Sequence, residues 1–255
     1  MSEQLHTAIR KLSKLQAQSV LLQRYALLGE AKTLDFDHAG QDVSLYLPNA
    51  DRDEIQGDIL TRGTFYEDKL LAELSTQLGP MEGQTVVDIG ANIGNHTVYF
   101  GLVLKPSTLY AFEPQPKVHA ILKRNVELNL PEDKIHLFDC AVGASRGQAD
   151  WSRSVAGNLG MASFSERDGG SIQMQRLDDV LPADQLDTVG FMKIDVEGNE
   201  AAVLAGATEV LARSRPFLWI EIMPRNSAAV DEILTPLGYQ KQKLNRLNFF
   251  YHPPR

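Results

Sequence analysis

Apolar and polar positions change rhythm near residue 80. Before it, Leu5, Ala8, Leu12, Leu15, Ser19, Leu22 and Ala26 recur at alternating steps of three and four, with no proline between residues 3 and 30 and no glycine before Gly29. Such steps put side chains on one side of a helix, so a helix is expected over residues 3–30, striped close to a heptad seam. The stripe suits packing between copies of the chain or packing on its own domain, and the sequence leaves both open. DVSLYL (42–47) alternates as a half-buried strand does. Asn49, Asp51 and Asp53 mark a polar loop, and residues 66–78 read as a helix with Leu70, Leu71, Leu74 and Leu78 on one face, ending at Gly79-Pro80.

From residue 85 strands and helices alternate. TVVDIG (85–90) is a short apolar run suited to a strand buried on both faces. A helix over about 94–104 follows, then LYAFEP (109–114) as a strand, a helix from Val118 to Leu128, and KIHLFDCAV (134–142) as a third strand. The glycine- and serine-rich stretch 143–170 reads as irregular. VGFMKIDV (189–196) is a fourth strand, Glu200 to Arg213 a helix, and PFLWIEI (216–222) a fifth strand. This alternation means a parallel sheet with right-handed crossovers. GYQKQKLNRLNFFYHP (238–253) reads as a hairpin turning near Leu244-Asn245 and capping the sheet antiparallel. The expected organisation is a helical and hairpin extension over 1–79, then a doubly wound α/β domain over 80–255.

Composition narrows the function. Lys and Arg total 25 against 33 Asp and Glu, a net charge of −8. That argues against a nucleic-acid partner, which needs clustered cations. Lys241, Lys243, Arg246 and Arg255 form only a weak basic cluster, read as a solvated edge. Cys140 is the single cysteine, so no internal disulfide forms, as in a reducing compartment. No run is apolar enough for a signal peptide or a membrane span, and a cytoplasmic protein is expected.

In open parallel sheets ligands bind outside the carboxyl ends of the strands. The first strand ends in Asp88, Gly90, Asn92 and Gly94. Gly90 allows a turn with positive φ, and Gly94 lets a ligand or strand approach the next helix. Position 92 is Asn where a dinucleotide fingerprint has glycine, which disfavours a nicotinamide oxidoreductase. The Asn and the preceding acid suit an ammonium or hydroxyl groups. Glu113 ends the second strand, where an acid accepts both hydroxyls of a ribose, and Pro114 offers an apolar flank for an adenine ring. Asp139, Cys140 and Ala141 end the third strand, where an acid or amide meets adenine; Cys140 reads as a small buried residue rather than a nucleophile. Groups for an amine, a ribose and an adenine together describe S-adenosyl-L-methionine.

The fourth strand ends in Lys193, Asp195 and Glu197, with Glu200 opening a helix. Lys193 and Asp195, two apart, share one side of the strand. Glu221 is a further acid near the end of the fifth strand. Methyl transfer to a hydroxyl needs its proton removed, and one of these carboxylates or His96 can act as general base. Alternatively two carboxylates hold a divalent cation that acidifies the hydroxyl; no motif supports that, and a metal site is left unassigned.

In order, FYE (65–67), VVDIGANIGNHT (86–97), AFEP (111–114), Asn125 and Asn129 on a helix, DCAVG (139–143), RLDDVL (176–181), FMKIDVEGNEAAVLAGA (191–207) and RPFLWIEI (215–222) resemble the FkbM-type methyltransferases, a branch of the class I S-adenosylmethionine-dependent family. The resemblance covers about residues 60–252, and KIDVEGNE with VLAGA is its most specific part. It implies a Rossmann-like class I methyltransferase fold with a seven-stranded, mostly parallel sheet. It implies O-methylation of a hydroxyl on a sugar, glycan or polyketide-like metabolite. It carries cofactor binding onto Asp88, Gly90, Asn92, Gly94 and Glu113, with Asp139 and Ala141 near the adenine and Glu67 joining them from the FYE segment. Lys193, Asp195 and Glu197 fall on the acceptor side. The long N-terminal helix has no counterpart in the family. It leaves open a homo-oligomer, or a non-catalytic adapter that uses the fold only as a scaffold.

Overall fold

The computed structural model describes residues 2–155 and 158–254, in two compact units, one up to Tyr66 and one from Glu67 onward. The first unit contains α1 (Ser2–Leu27), a hairpin of β1 (Thr33–His38) and β2 (Gln41–Tyr46), and α2 (Glu54–Arg62). The hairpin turns on Ala39 and Gly40, both at positive φ, as a tight two-residue turn requires. Asp53 caps α2 by accepting from the Gln56 amide at 3.0 Å, and Gly63 ends it in a left-handed conformation. The end of α1 is tied down. Arg24 donates to the carbonyls of Leu60 and Thr61, and the Tyr25 hydroxyl donates to Pro48 O at 2.5 Å. Leu5, Leu12, Leu15 and Leu22 of the stripe stay 47–61% exposed.

In the second unit the order is α3 (Asp68–Leu78), β3 (Thr85–Ile89), α4 (Asn95–Tyr99), β4 (Thr108–Phe112), α5 (Pro116–Asn129), β5 (Ile135–Phe138), β6 (Ala141–Val142), β7 (Gly147–Val155), β8 (Asn158–Glu166), β9 (Ile172–Gln175), α6 (Leu177–Val180), β10 (Val189–Ile194), α7 (Glu200–Ala205), α8 (Thr208–Arg213), β11 (Phe217–Glu221), α9 (Ser227–Leu234), β12 (Gln240–Lys243) and β13 (Asn248–His252). Seven strands form one sheet in the order β12-β13-β11-β10-β3-β4-β5, parallel except where the C-terminal pair β12 and β13 joins β11. The α/β class and the antiparallel C-terminal hairpin agree with the sequence. One face of the sheet packs Val87, Ile89, Phe112, Met192, Ile194, Leu218 and Ile220 into a fully apolar core. The other face carries Asp88, Lys193 and Trp219 in one row, since Asp88 pairs with Lys193 and Lys193 with Trp219.

Three expectations change. The run 134–142 is not one strand: β5 stops at Phe138, and β6 leaves to pair with β9 in a separate four-stranded sheet ordered β6-β9-β7-β8. The stretch 143–170 is not irregular, because β7 and β8 pair as antiparallel partners there; Ala156 and Gly157 lie outside the described residues. The helix over 200–213 breaks at Gly206, where a Cβ would stand 2.0 Å from Gly143 O. The restart is capped by the Asp178 carboxylate, which accepts from the Thr208 hydroxyl and the Glu209 and Val210 amides at 3.1–3.2 Å. In the weak basic cluster, Lys241 is paired with Asp231 at 3.0 Å, and Arg255 lies outside the described residues. Among the described residues no helix is long and apolar enough to cross a membrane.

Candidate active site

The carboxyl end of β3 is built by close backbone contacts. Gly90 has φ +80, and a Cβ there would stand 1.8 Å from the carbonyl oxygen of Asp195. The Asp195 amide in turn donates to Ile89 O at 2.9 Å, so the ends of β3 and β10 are locked together. Gly94, at φ +85, admits Leu122 of α5, whose Cδ1 would lie 2.7 Å from a Cβ. Its close approach is therefore to a neighbouring helix. Asn92 adopts φ +50, which Asn tolerates better than most residues, and its backbone amide donates to Glu113 Oε2 at 3.0 Å.

Glu113 is 5% exposed, and its other oxygen accepts from the Gln115 amide at 2.8 Å. Burial pushes its carboxyl up to about 7; the two amides pull it down, and the charges of Asp195 and Asp88 add to the rise. Pro114 beside it is half-buried and Asp139 exposed. Ala141 is buried within β6. Cys140 is buried, and burial with Asp139 pushes its thiol up to about 11, which is inert chemistry. Gly90, Asn92 and Glu113 thus gather at the ends of β3 and β4, with Asp139 to Ala141 following β5.

A second group gathers at the ends of β10 and β11. Lys193 is 2% exposed; its ammonium lies 3.3 Å from Asp195 Oδ2, 3.4 Å from Gly90 O and 3.7 Å from Asp88 Oδ1. Burial pulls that ammonium down, but Asp195 and Asp88 outweigh it and hold it above its ordinary value. Asp88 is fully buried. Its Oδ2 accepts from the Thr97 hydroxyl at 2.6 Å, while Oδ1 has no hydrogen-bond partner. Glu221 is half-buried; burial pushes it up to about 8, with Asp195, Glu197 and Glu67 raising it further and Lys193 opposing. His96 is 8% exposed, its ring edge-on to Trp219 at 5.0 Å and its Nε2 3.4 Å from Glu67 Oε2. Glu197 adopts φ +52 at the turn. Glu67 therefore sits beside His96, and its charge is felt at Glu221. Among the described residues, no group of three or more His, Cys, Asp or Glu is arranged to hold a metal ion.

The sequence profile of the methyltransferase FkbM domain matches residues 88–243. The chain belongs to the FkbM methyltransferase family. Similar curated relatives include the 2-O-methyltransferase NoeI of Sinorhizobium fredii, 30% identical over 155 residues, covering 53% of this chain and 62% of that one. The hexuronic acid methyltransferase AglP of Haloferax volcanii is 28% identical over 141 residues, covering 55% of this chain and 56% of that one. The chain thus spans about three-fifths of the length of the curated relatives it matches. The crystal structure of an FkbM methyltransferase from Methylobacillus flagellatus KT superposes with a TM-score of 0.51 at 16% identity, over 94% of this chain and 59% of that one, and supports the fold.

Three contributors to this FkbM site escape sequence reading. Trp219 lies between His96 and Lys193, whose ammonium is 5.7 Å from the ring centroid, and its indole N–H donates to Asn248 Oδ1 at 2.5 Å. The signal was available in WIEI, since Trp219 and Glu221 are two apart and share a face. Thr97, which holds Asp88, looks like an ordinary helix residue. Glu200, read as a helix-start charge, is fully buried and fastens the turn that follows β10. It accepts from the Gly198 amide at 2.9 Å and from Asn226 at 2.6 Å.

Proposed function

We propose that the protein transfers the methyl group of S-adenosylmethionine to a hydroxyl of a small-molecule or carbohydrate acceptor: a sugar, a glycan or a polyketide-like metabolite. The observation that carries the reading is the buried Glu113 carboxylate at the end of β4, which uses one acceptor site on each oxygen for the Asn92 and Gln115 amides. Each oxygen keeps a lone pair for a ribose hydroxyl. The anionic strand ends, with Asp195 and Glu221 in addition to Glu113, also fit a cofactor that carries a sulfonium and an ammonium.

When bound, the cofactor supplies an electrophilic methyl group. The protein's own part is alignment of the hydroxyl with that group, which carries most of the rate. As the acceptor oxygen takes the methyl, its proton passes to His96 or to Asp195, Glu197 or Glu221. Lys193, held by Asp88 and Asp195, fixes the shape of the floor beneath them. The name of one relative, a 2-O-methyltransferase, supports transfer to a hydroxyl. Calorimetric titration with S-adenosylmethionine and S-adenosylhomocysteine tests the reading, and absence of heat with both sinks it. The exposed α1 stripe favours, in addition, pairing between copies of the chain.

A further inference from the structure

We propose that Glu67, Asp195 and Glu221, with His96 at their edge, form an acid-lined seat for the acceptor. The seat selects acceptors presenting hydroxyls or an amine and rejects those with an anionic group beside the reacting hydroxyl. The inference rests on the methyltransferase reading above and moves Glu67 from the cofactor to the acceptor.

The row Asp88, Lys193 and Trp219 crosses the sheet one step below its carboxyl edge. Asp195 and Glu221 follow Lys193 and Trp219 by two positions, so they stand on the same face one step higher. His96 leans on the Trp219 ring and reaches to within 3.4 Å of Glu67. Its Nε2 is buried and has no hydrogen-bond partner. Buried polar atoms are nearly always satisfied in a working state, so an arriving polar group is the natural partner. The same carboxylates sense one another: Glu221 responds to Asp195, Glu197 and Glu67. Glu113, by contrast, responds to Asp195 and Asp88. Asp195 is common to both groups, and Glu67, beside His96, acts on Glu221 and not on the ribose acid.

Charge sets the preference. Asp88, Asp195 and Glu221 act on one buried cation, Lys193, which Asp88 and Asp195 already hold, while Glu67 and Glu197 add their charge at Glu221. Arg225 stands against Gly198, at the Glu197 end of the site. A hydroxyl or amine donates to carboxylates in such a place, while a carboxylate or phosphate adds like charge in a poorly solvated cleft.

The test needs no knowledge of the natural acceptor. Sinefungin carries an amine on carbon where S-adenosylmethionine carries its methylsulfonium, so it presents a cation to the seat; S-adenosylhomocysteine presents none. By calorimetry, the wild type is expected to bind sinefungin roughly tenfold or more tightly than S-adenosylhomocysteine, the value of one charge-assisted hydrogen bond. Glu67→Gln and Glu221→Gln are expected to shrink that preference severalfold and leave S-adenosylhomocysteine affinity unchanged. Melting curves confirm that each variant folds. An unchanged preference in both folded variants overturns the proposal. So does an equal loss for both ligands in Glu67→Gln, which returns Glu67 to the cofactor. If the wild type binds neither ligand, the methyltransferase reading itself fails. In a second arm, saturation-transfer NMR compares methyl glucoside, methyl glucosaminide and methyl glucuronide on the S-adenosylhomocysteine complex, and a strongest signal from the glucuronide also overturns the proposal.

Discussion

Removing the Glu113 carboxylate is expected to weaken S-adenosylhomocysteine binding through a route that leaves a pH signature. Two ribose hydroxyls would donate to an ionised acid, and hydrogen bonds to charged groups are worth roughly 1.5–3 kcal/mol, so Glu113→Ala should lose about tenfold to a hundredfold in affinity. In the ligand-free protein this carboxyl sits at about 7 because it is buried, so near neutral pH about half the molecules carry it protonated. Binding to the ionised form alone makes affinity rise about tenfold between pH 6 and pH 8 and flatten above that, with about half a proton released per ligand bound at pH 7. Calorimetry in buffers of different ionisation heat measures both quantities, and Glu113→Gln should abolish the slope. The same shift has a stability consequence. A carboxyl raised in the folded state favours folding at low pH, and that advantage fades as pH climbs from about 4.5 to about 7, by at most about 3 kcal/mol. A pH-independent affinity, together with unchanged binding in a well-folded Glu113→Ala, would refute the ribose assignment.

Three other changes are diagnostic. Lys193→Met leaves Asp88 and Asp195 without their buried counter-ion and should cost about 3–5 kcal/mol in urea denaturation; a loss under about 1 kcal/mol would mean that the pair is solvated. Gly90→Ala drives a Cβ into the Asp195 carbonyl, so it should lose more than the roughly 1–2 kcal/mol of a left-handed residue, read from melting curves. A wild-type thermal midpoint would contradict the close approach. Leu12→Glu with Leu15→Glu should turn an oligomer into a monomer in sedimentation, and a wild type that already sediments as a monomer rules out pairing through α1.

What the sequence reveals here depends on range. The parallel character of the sheet, the antiparallel C-terminal hairpin and the strand-end acids follow from local periodicity and chain reversal. Lys193 beside Asp195 follows from a spacing of two. Asp88 under Lys193 does not, because it depends on the register of two strands about a hundred residues apart. Leu122 behind Gly94 and Gly143 against Gly206 are likewise contacts between distant segments. The β7–β8 hairpin was hidden because Ser, Gly and Asn carry little strand propensity, and its ladder is supplied by backbone pairing. Asp178 stands only as part of the RLDDVL segment of the family resemblance, yet its carboxylate caps a helix thirty residues further on. Glu67 could be matched to a family segment, but only His96 beside it and its effect on Glu221 indicate which part of the site it serves.

The missing side chain at Gly90 has a consequence for redesign. The loops that follow β3 and β10 share one wall there, with the Asp195 carbonyl seated where a Cβ would be. An engineer who grafts a foreign KIDVEG-type loop to change the acceptor would therefore shift the loop after β3 as well. Under the acceptor-seat proposal, recognition is better retuned by exchanging side chains at Glu67, Glu197 and Glu221. The two-loop seam stays untouched, so methyl-donor affinity becomes an internal control for every acceptor variant.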